Sequence, residues 1–131
     1  MKTIFLISLA FMCALMLNIY PAAGAERMDA NSTMTLVDKN KDGRIDREEF
    51  HQRMIEVYFF ADVDKDGQLT YAELVAVEKV EPEVFKRADR DGNGKLSLYE
   101  FMYVVHRDFE AADKNGDGVI DLQELRVLVA K

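Results

Sequence analysis

Apolar residues recur at helical spacing in two twelve-residue segments, 50–61 and 101–112. Neither segment contains Gly or Pro, and in both the apolar residues follow steps of four, four and three positions. These stripes are Phe50, Met54, Tyr58 and Ala61 in the first segment, and Phe101, Val105, Phe109 and Ala112 in the second. Such steps place side chains on one face of an α-helix. Each segment is therefore predicted to form one continuous helix, because twelve residues are too few for two helices and a turn.

The connection between the two halves of the chain has a different pattern. Glu81, Pro82 and Glu83 interrupt the segment 74–88. Proline fits the first turn of a helix but not its interior, so one helix is predicted to end here or another to begin. The chain can therefore fold back at this point.

Other large residues add less information. Phe59, Phe60 and Phe85 are expected to join the stripe phenylalanines in the core. His51 and His106 lie on the two predicted helices, and neither is expected to have a partner cysteine or a second histidine nearby. They are expected on solvated helix surface rather than in a transition-metal site.

A polar twelve-residue pattern occurs four times, at 38–49, 62–73, 89–100 and 113–124. Each copy has oxygen-bearing side chains at positions 1, 3 and 5, glycine at 6, an aliphatic residue at 8 and glutamate at 12. The copies start 24, 27 and 24 residues apart, so a shift of 51 residues relates the first pair to the second. This spacing indicates a duplicated pair of motifs.

The oxygens of this pattern suit a hard cation such as calcium, which takes six to eight oxygen ligands. Positions 1, 3 and 5 would offer side chains, position 7 its backbone carbonyl, and position 12 both carboxylate oxygens, while position 9 would act through water. The candidate ligands of the four loops are Asp38, Asn40, Asp42, Arg44 and Glu49; Asp62, Asp64, Asp66, Gln68 and Glu73; Asp89, Asp91, Asn93, Lys95 and Glu100; and Asp113, Asn115, Asp117, Val119 and Glu124. The position 9 residues are Asp46, Thr70, Ser97 and Asp121.

These four loops resemble the EF-hand family, and the resemblance covers nearly all of the chain after its first 25 residues. It implies an all-α fold of four helix–loop–helix motifs and reversible calcium binding. With the predicted continuous segments, the connecting helices would be shared between motifs, and short β-bridges would join the loops. Glutamate at position 12 favours calcium over magnesium, which demands a smaller octahedral shell. The alternatives are acidic turns that merely solvate the connections, and a dockerin-type repeat, which usually carries aspartate at position 12.

The continuous helices also predict which loops pair. EF-hand loops normally associate side by side through position 8, yet loops at opposite ends of a straight helix lie roughly 20 to 25 Å apart. We therefore expect Leu69 to pair with Leu96, and Ile45 with Ile120. The alternative is that each shared helix bends so that neighbouring loops pair.

The amino terminus has the pattern of a secretory leader. Lys2 precedes a largely apolar run at 4–19, and small residues follow it up to Ala25. We predict a signal peptide over 1–25 and an EF-hand domain over 26–131. The alternative is an uncleaved membrane anchor, but the run is shorter than the roughly 20 apolar residues that a spanning helix needs. The single cysteine, Cys13, lies in this leader, so the mature chain would contain no disulfide.

Charge narrows the function classes. The chain has a net charge of −7, and its leader holds one basic and no acidic residue, so the mature chain would carry −8. Because an acidic surface offers no basic stripe for phosphates, nucleic acid is excluded as a partner. No catalytic constellation is evident, so the chain is predicted not to be an enzyme.

The sequence therefore predicts an exported calcium-binding protein that acts as a buffer or a calcium-stabilised module, with no membrane contact once the leader is removed. The alternative is a sensor that exposes an apolar groove to an unknown protein partner. Sensors tend to use methionine-rich surfaces, and only Met28, Met34, Met54 and Met102 remain after the leader, which favours the buffer. The repeat spacing resembles secreted bacterial EF-hand proteins, so a periplasmic or secreted location is expected.

Overall fold

The computed structural model describes residues 29–77 and 80–129, so the predicted leader lies outside the described residues. Six helices and four three-residue strands occupy the described part of the chain. In chain order they are α1 Ala30–Val37, β1 Arg44–Asp46, α2 Arg47–Ala61, β2 Gln68–Thr70, α3 Tyr71–Val77, α4 Pro82–Ala88, β3 Lys95–Ser97, α5 Leu98–Ala112, β4 Val119–Asp121 and α6 Leu122–Val129. The mostly helical class predicted from the sequence is confirmed. None of the helices among these residues is long and apolar enough to cross a membrane.

Local sequence explains where the long helices begin. Asp46 caps α2 and Ser97 caps α5, each accepting a hydrogen bond from the backbone N–H of the glutamate three residues later. The side-chain carboxylates of Glu49 and Glu100 in turn accept the backbone N–H of the capping residue. These reciprocal capping boxes satisfy N–H groups that a helix start leaves free. Pro82 stands at the first position of α4, where its missing N–H costs nothing.

The two long helices form the centre of the molecule. Each has 15 residues without interruption, and α2 packs against α5. Phe50 meets Phe109 edge to face with ring centroids 5.4 Å apart, and Tyr58 lies 5.3 Å from Phe101. These contacts run in opposite order along the two helices, so α2 and α5 are antiparallel. The apolar stripes read from the sequence are therefore the seam of the core.

Two antiparallel strand pairs close the ends of this helix pair. β1 pairs with β4, with Ile45 opposite Ile120, and β2 pairs with β3, with Leu69 opposite Leu96. All four position 8 residues are buried. This is the pairing that straight shared helices favour, and it joins the first loop to the last and the second to the third.

The short helices pack in two outer pairs. α1 contacts α6, so the two ends of the described chain lie side by side. Between α3 and α4, the rings of Tyr71 and Phe85 lie 5.3 Å apart, and the Tyr71 hydroxyl donates to the Val80 carbonyl at 2.9 Å. This contact fixes the turn that begins α4.

Two sequence expectations for α2 are wrong. Phe59 and Phe60 are 57% and 43% exposed. The buried face of α2 passes through Tyr58 and Ala61, and successive residues in a helix diverge by about 100°, so Phe59 and Phe60 point away from α5. The expectation that no second histidine lies near His51 is also wrong, because antiparallel packing brings the ring centroids of His51 and His106 to 5.8 Å from each other.

Candidate metal centres

All four repeated loops adopt one hydrogen-bonded conformation. The aspartate at position 1 accepts the backbone N–H of the glycine at position 6, at 2.8 to 2.9 Å in every loop. The oxygen side chains at positions 3 and 5 each accept the N–H two residues further on, at 2.8 to 3.1 Å. Each loop therefore turns its side-chain oxygens towards its own backbone N–H groups.

The turn requires a left-handed backbone at two positions. Position 6 is glycine in every loop, with φ between +82° and +87°. Position 4 is also left-handed, with glycine in the third and fourth loops but Lys41 at φ +61° and Lys65 at φ +58° in the first two. A side chain in this region costs roughly 1 to 2 kcal/mol. The first two loops therefore carry strain that the sequence pattern did not reveal.

The glutamates at position 12 close the loops from the other side. One carboxylate oxygen of Glu49 accepts the N–H groups of Lys39 and Asn40 at 2.8 and 3.0 Å, and the other accepts Asp46 N–H at 3.0 Å. Glu73, Glu100 and Glu124 repeat this arrangement. Each glutamate therefore links the start of its loop to the strand at the end.

The structure brings some of the predicted ligands of the second and third loops together. In the second loop, carboxylate oxygens of Asp62, Asp64 and Asp66 lie within 4.8 Å of one another. In the third loop, those of Asp89, Asp91 and Glu100 do the same. The first and fourth loops have asparagine at position 3 and so present amide oxygen there. Convergent hard oxygens of this kind fit a divalent cation.

The position 9 residues have a role that the spacing alone did not show. Asp46 Oδ1 accepts Glu49 N–H at 2.8 Å, and Asp121 Oδ1 accepts Glu124 N–H at 2.8 Å. Thr70 and Ser97 make the same contact through their hydroxyls. These side chains therefore cap the exiting helix and hold the position 12 glutamate in place.

Hydrogen bonds also lower the pKa values of two carboxyl groups in the second loop. The backbone N–H of Thr70 is the main cause that holds the pKa of Glu73 below its usual value. The Lys95 ammonium, whose Nζ lies 2.6 Å from Asp66 Oδ2, lowers the pKa of Asp66. Both lowered pKa values favour the ionised carboxylates.

Tyr58 on α2 holds the second and third loops together. Its buried hydroxyl lies 2.8 Å from the Gly67 carbonyl and 2.9 Å from the Leu96 carbonyl, and its single proton is donated to these two acceptors. The counterpart of Tyr58, 51 residues later, is Phe109, which has no hydroxyl. This link therefore belongs to one loop pair.

Replacing Tyr58 by Phe should lower the free energy of unfolding by about 1 to 2 kcal/mol, because two buried carbonyls lose their donor. Urea unfolding followed by circular dichroism measures this change. The matched control is Tyr99→Phe at a 72% exposed ring, where a change under about 0.5 kcal/mol is expected. Equal effects of both substitutions would contradict the assignment.

The same pair of variants has a pH signature. Burial, followed by the charges of Asp62 and Asp66, raises the pKa of Tyr58 from 10.0 to about 12. The neutral phenol is favoured in the folded state, so its contribution is complete below pH 10 and is lost as the pH rises towards 12. Tyr58→Phe should remove this part of the alkaline loss of stability, whereas Tyr99→Phe should retain it.

Comparison with known proteins adds the family. A search of curated proteins finds no match to the chain. A family model described as EF hand matches four segments, 30–55, 60–77, 82–105 and 107–129. Each segment contains one of the four loops in full, and together they cover well over half of the chain. With four loops that fold their acidic side chains inward, this chain belongs to the EF-hand family.

Proposed function

We propose that this protein binds four Ca²⁺ ions through its four loops, as an exported buffer or calcium-stabilised module. The observation that carries the proposal is the common loop conformation, in which the oxygens at positions 1, 3, 5 and 12 all engage the same short turn. EF-hand family membership supports calcium as the ion. The glutamate at position 12 offers two oxygens in every loop, which suits the larger shell of calcium better than that of magnesium.

Hydrogen bonds within each loop orient the candidate ligands without a bound ion. Backbone N–H groups within each loop orient the aspartate at position 1 and the glutamate at position 12. Bound calcium would supply positive charge to a cluster of carboxylates that otherwise repel one another. Four ions would bring a charge of +8 to a mature chain of −8, so binding should tighten the fold.

Export is proposed from the leader alone. Residues 1–25 combine a basic start, an apolar run and small residues at the cleavage position. A periplasmic or secreted protein meets abundant calcium, so sites as weak as about 10⁻⁴ to 10⁻³ M would be filled. Mass spectrometry of the exported protein should give a chain that begins at Glu26.

Isothermal calorimetry tests the binding proposal. Calcium titrated into the metal-stripped protein should fill four sites, and magnesium should not displace it at equal concentration. Glu73→Gln keeps the size of the side chain but removes a charge and one strong ligand, so the second site should weaken by about 100-fold or more. Absence of calcium uptake by the unsubstituted protein would refute the proposal.

A second candidate function is a sensor that binds a protein partner. The observation in its favour is exposed apolar surface on the long helices, at Phe59, Phe60, Tyr99 and Tyr103. A hydrophobic dye separates the two roles. Dye binding that rises with calcium would favour the sensor, and dye binding that falls would favour the calcium-stabilised module.

A further inference from the structure

Lys95 stands at the junction of two loops. It is position 7 of the third loop, where its backbone carbonyl is a candidate ligand, and it lies opposite Thr70 in the β2–β3 pair. Its side chain leaves the third loop and crosses to the second, where Nζ meets Asp66 Oδ2 at 2.6 Å. Lys95 therefore belongs to the third loop through its backbone carbonyl and contacts the second loop through its ammonium.

The ammonium binds a carboxylate that is a candidate ligand of the second loop. Asp66 Oδ1 already accepts Gln68 N–H at 2.9 Å within its own loop. Asp66 Oδ2 accepts a hydrogen bond from the Lys95 ammonium, so both oxygens of this candidate ligand are already engaged. Asp66 also belongs to the compact group with Asp62 and Asp64, so the positive charge of Lys95 lies beside the centre of the site.

The other loop pair provides an internal comparison. A shift of 51 residues relates Arg44 to Lys95 and Asp117 to Asp66, so the first and fourth loops carry the same two charges. No ion pair joins Arg44 to Asp117 in the described part of the chain. The contact from a position 7 side chain to the neighbouring loop is therefore found between the second and third loops, and the shared fold alone does not produce it.

We infer that the Lys95 ammonium competes with calcium for the second site. The calcium affinity of the second site is therefore lower than that of the equivalent fourth site. This inference rests on the proposed calcium function. A cation entering the second loop must displace an ammonium from Asp66, whereas a cation entering the fourth loop displaces none from Asp117. Because both partners of the ion pair are partly exposed, with 40% and 34% of their side chains accessible, the displacement is reversible and its effect is modest.

Nuclear magnetic resonance can report each site separately. The amides of Gly43, Gly67, Gly94 and Gly118 each donate to the position 1 aspartate of their own loop, so each amide signal reports one site. Calcium is titrated into the metal-stripped protein and the midpoint of each signal is measured. Lys95→Gln should lower the calcium concentration at the Gly67 midpoint by about three- to five-fold, at the upper end of what an exposed ion pair contributes.

A matched variant separates competition from net charge. Lys86→Gln removes an equivalent charge at an exposed residue of α4 that is not a candidate ligand, where Lys86 Nζ lies 3.3 Å from Glu83 Oε1. It should move the Gly67 midpoint by less than about two-fold.

Three results would overturn the inference. If Lys95→Gln shifts the Gly67 midpoint no more than Lys86→Gln does, the ion pair does not compete. If Lys95→Gln weakens the second site, the ammonium organises that site for calcium. In either case the unsubstituted protein still binds calcium and the proposed function stands. If none of the four glycine amides responds to calcium in the unsubstituted protein, the proposed function fails, and this inference fails with it.

Discussion

Chelation of calcium should lower the free energy of unfolding by about 11 kcal/mol, the largest effect that we expect for this protein. A ligand that binds only the folded state, at a free concentration 100 times its Kd, stabilises that state by about 2.7 kcal/mol per site, and four sites contribute about four times as much. Small domains are stable by roughly 5 to 15 kcal/mol in total. Loss of calcium should therefore remove a large part of the stability of the fold.

Urea unfolding in excess calcium and in excess chelator, followed by helical circular dichroism, measures this difference. Chelator that has been saturated with calcium beforehand controls for effects of the chelator itself and should change nothing. A glutamine at position 12 of one loop should remove about one quarter of the difference. An unfolding midpoint that is the same with and without calcium would show that side-chain packing stabilises the fold without any contribution from calcium.

Replacing Phe50 by Ala should lower the free energy of unfolding by about 3 to 5 kcal/mol even when calcium is saturating. The Phe50 side chain is fully buried and meets Phe109 edge to face, at the seam between α2 and α5. Its removal leaves a cavity between the two helices that join the loop pairs. The loss should appear as a lower urea midpoint with an unchanged slope.

Phe59→Ala is the matched control, because it makes the same chemical change on the same helix at an exposed ring. It should cost less than about 1 kcal/mol. Equal losses from the two substitutions would mean that Phe59 is buried in solution, and the assignment of the α2 face would be wrong.

The sequence predicted the loops and the long helices well because both depend on local rules. Positions 1, 3, 5, 6 and 12 follow from what one cation and one sharp turn require of twelve residues. Phe50, Met54 and Tyr58 follow from the helical repeat. The strand partners could also be inferred, since a straight helix of known length keeps neighbouring loops apart.

Other features could not be predicted because they depend on the angle and register at which distant segments pack. Phe59 and Tyr58 are adjacent in sequence, yet only their rotation about α2 decides which one faces α5. The approach of His51 to His106 depends on the antiparallel alignment of two helices. The contact from Lys95 to Asp66 depends on the β2–β3 register, and the sequence contains the same charges in the other pair without that contact.

The order in which the loops pair relates the two halves of the chain by an approximate two-fold axis. A shift of 51 residues makes the first and third loops one kind, and the second and fourth another. Each strand pair joins one loop of each kind, and always across the two halves of the chain. Two separate copies of a half would meet in the same way about a two-fold axis. The molecule thus has the architecture of a symmetric homodimer whose subunits were fused end to end, with Pro82 just after the joint.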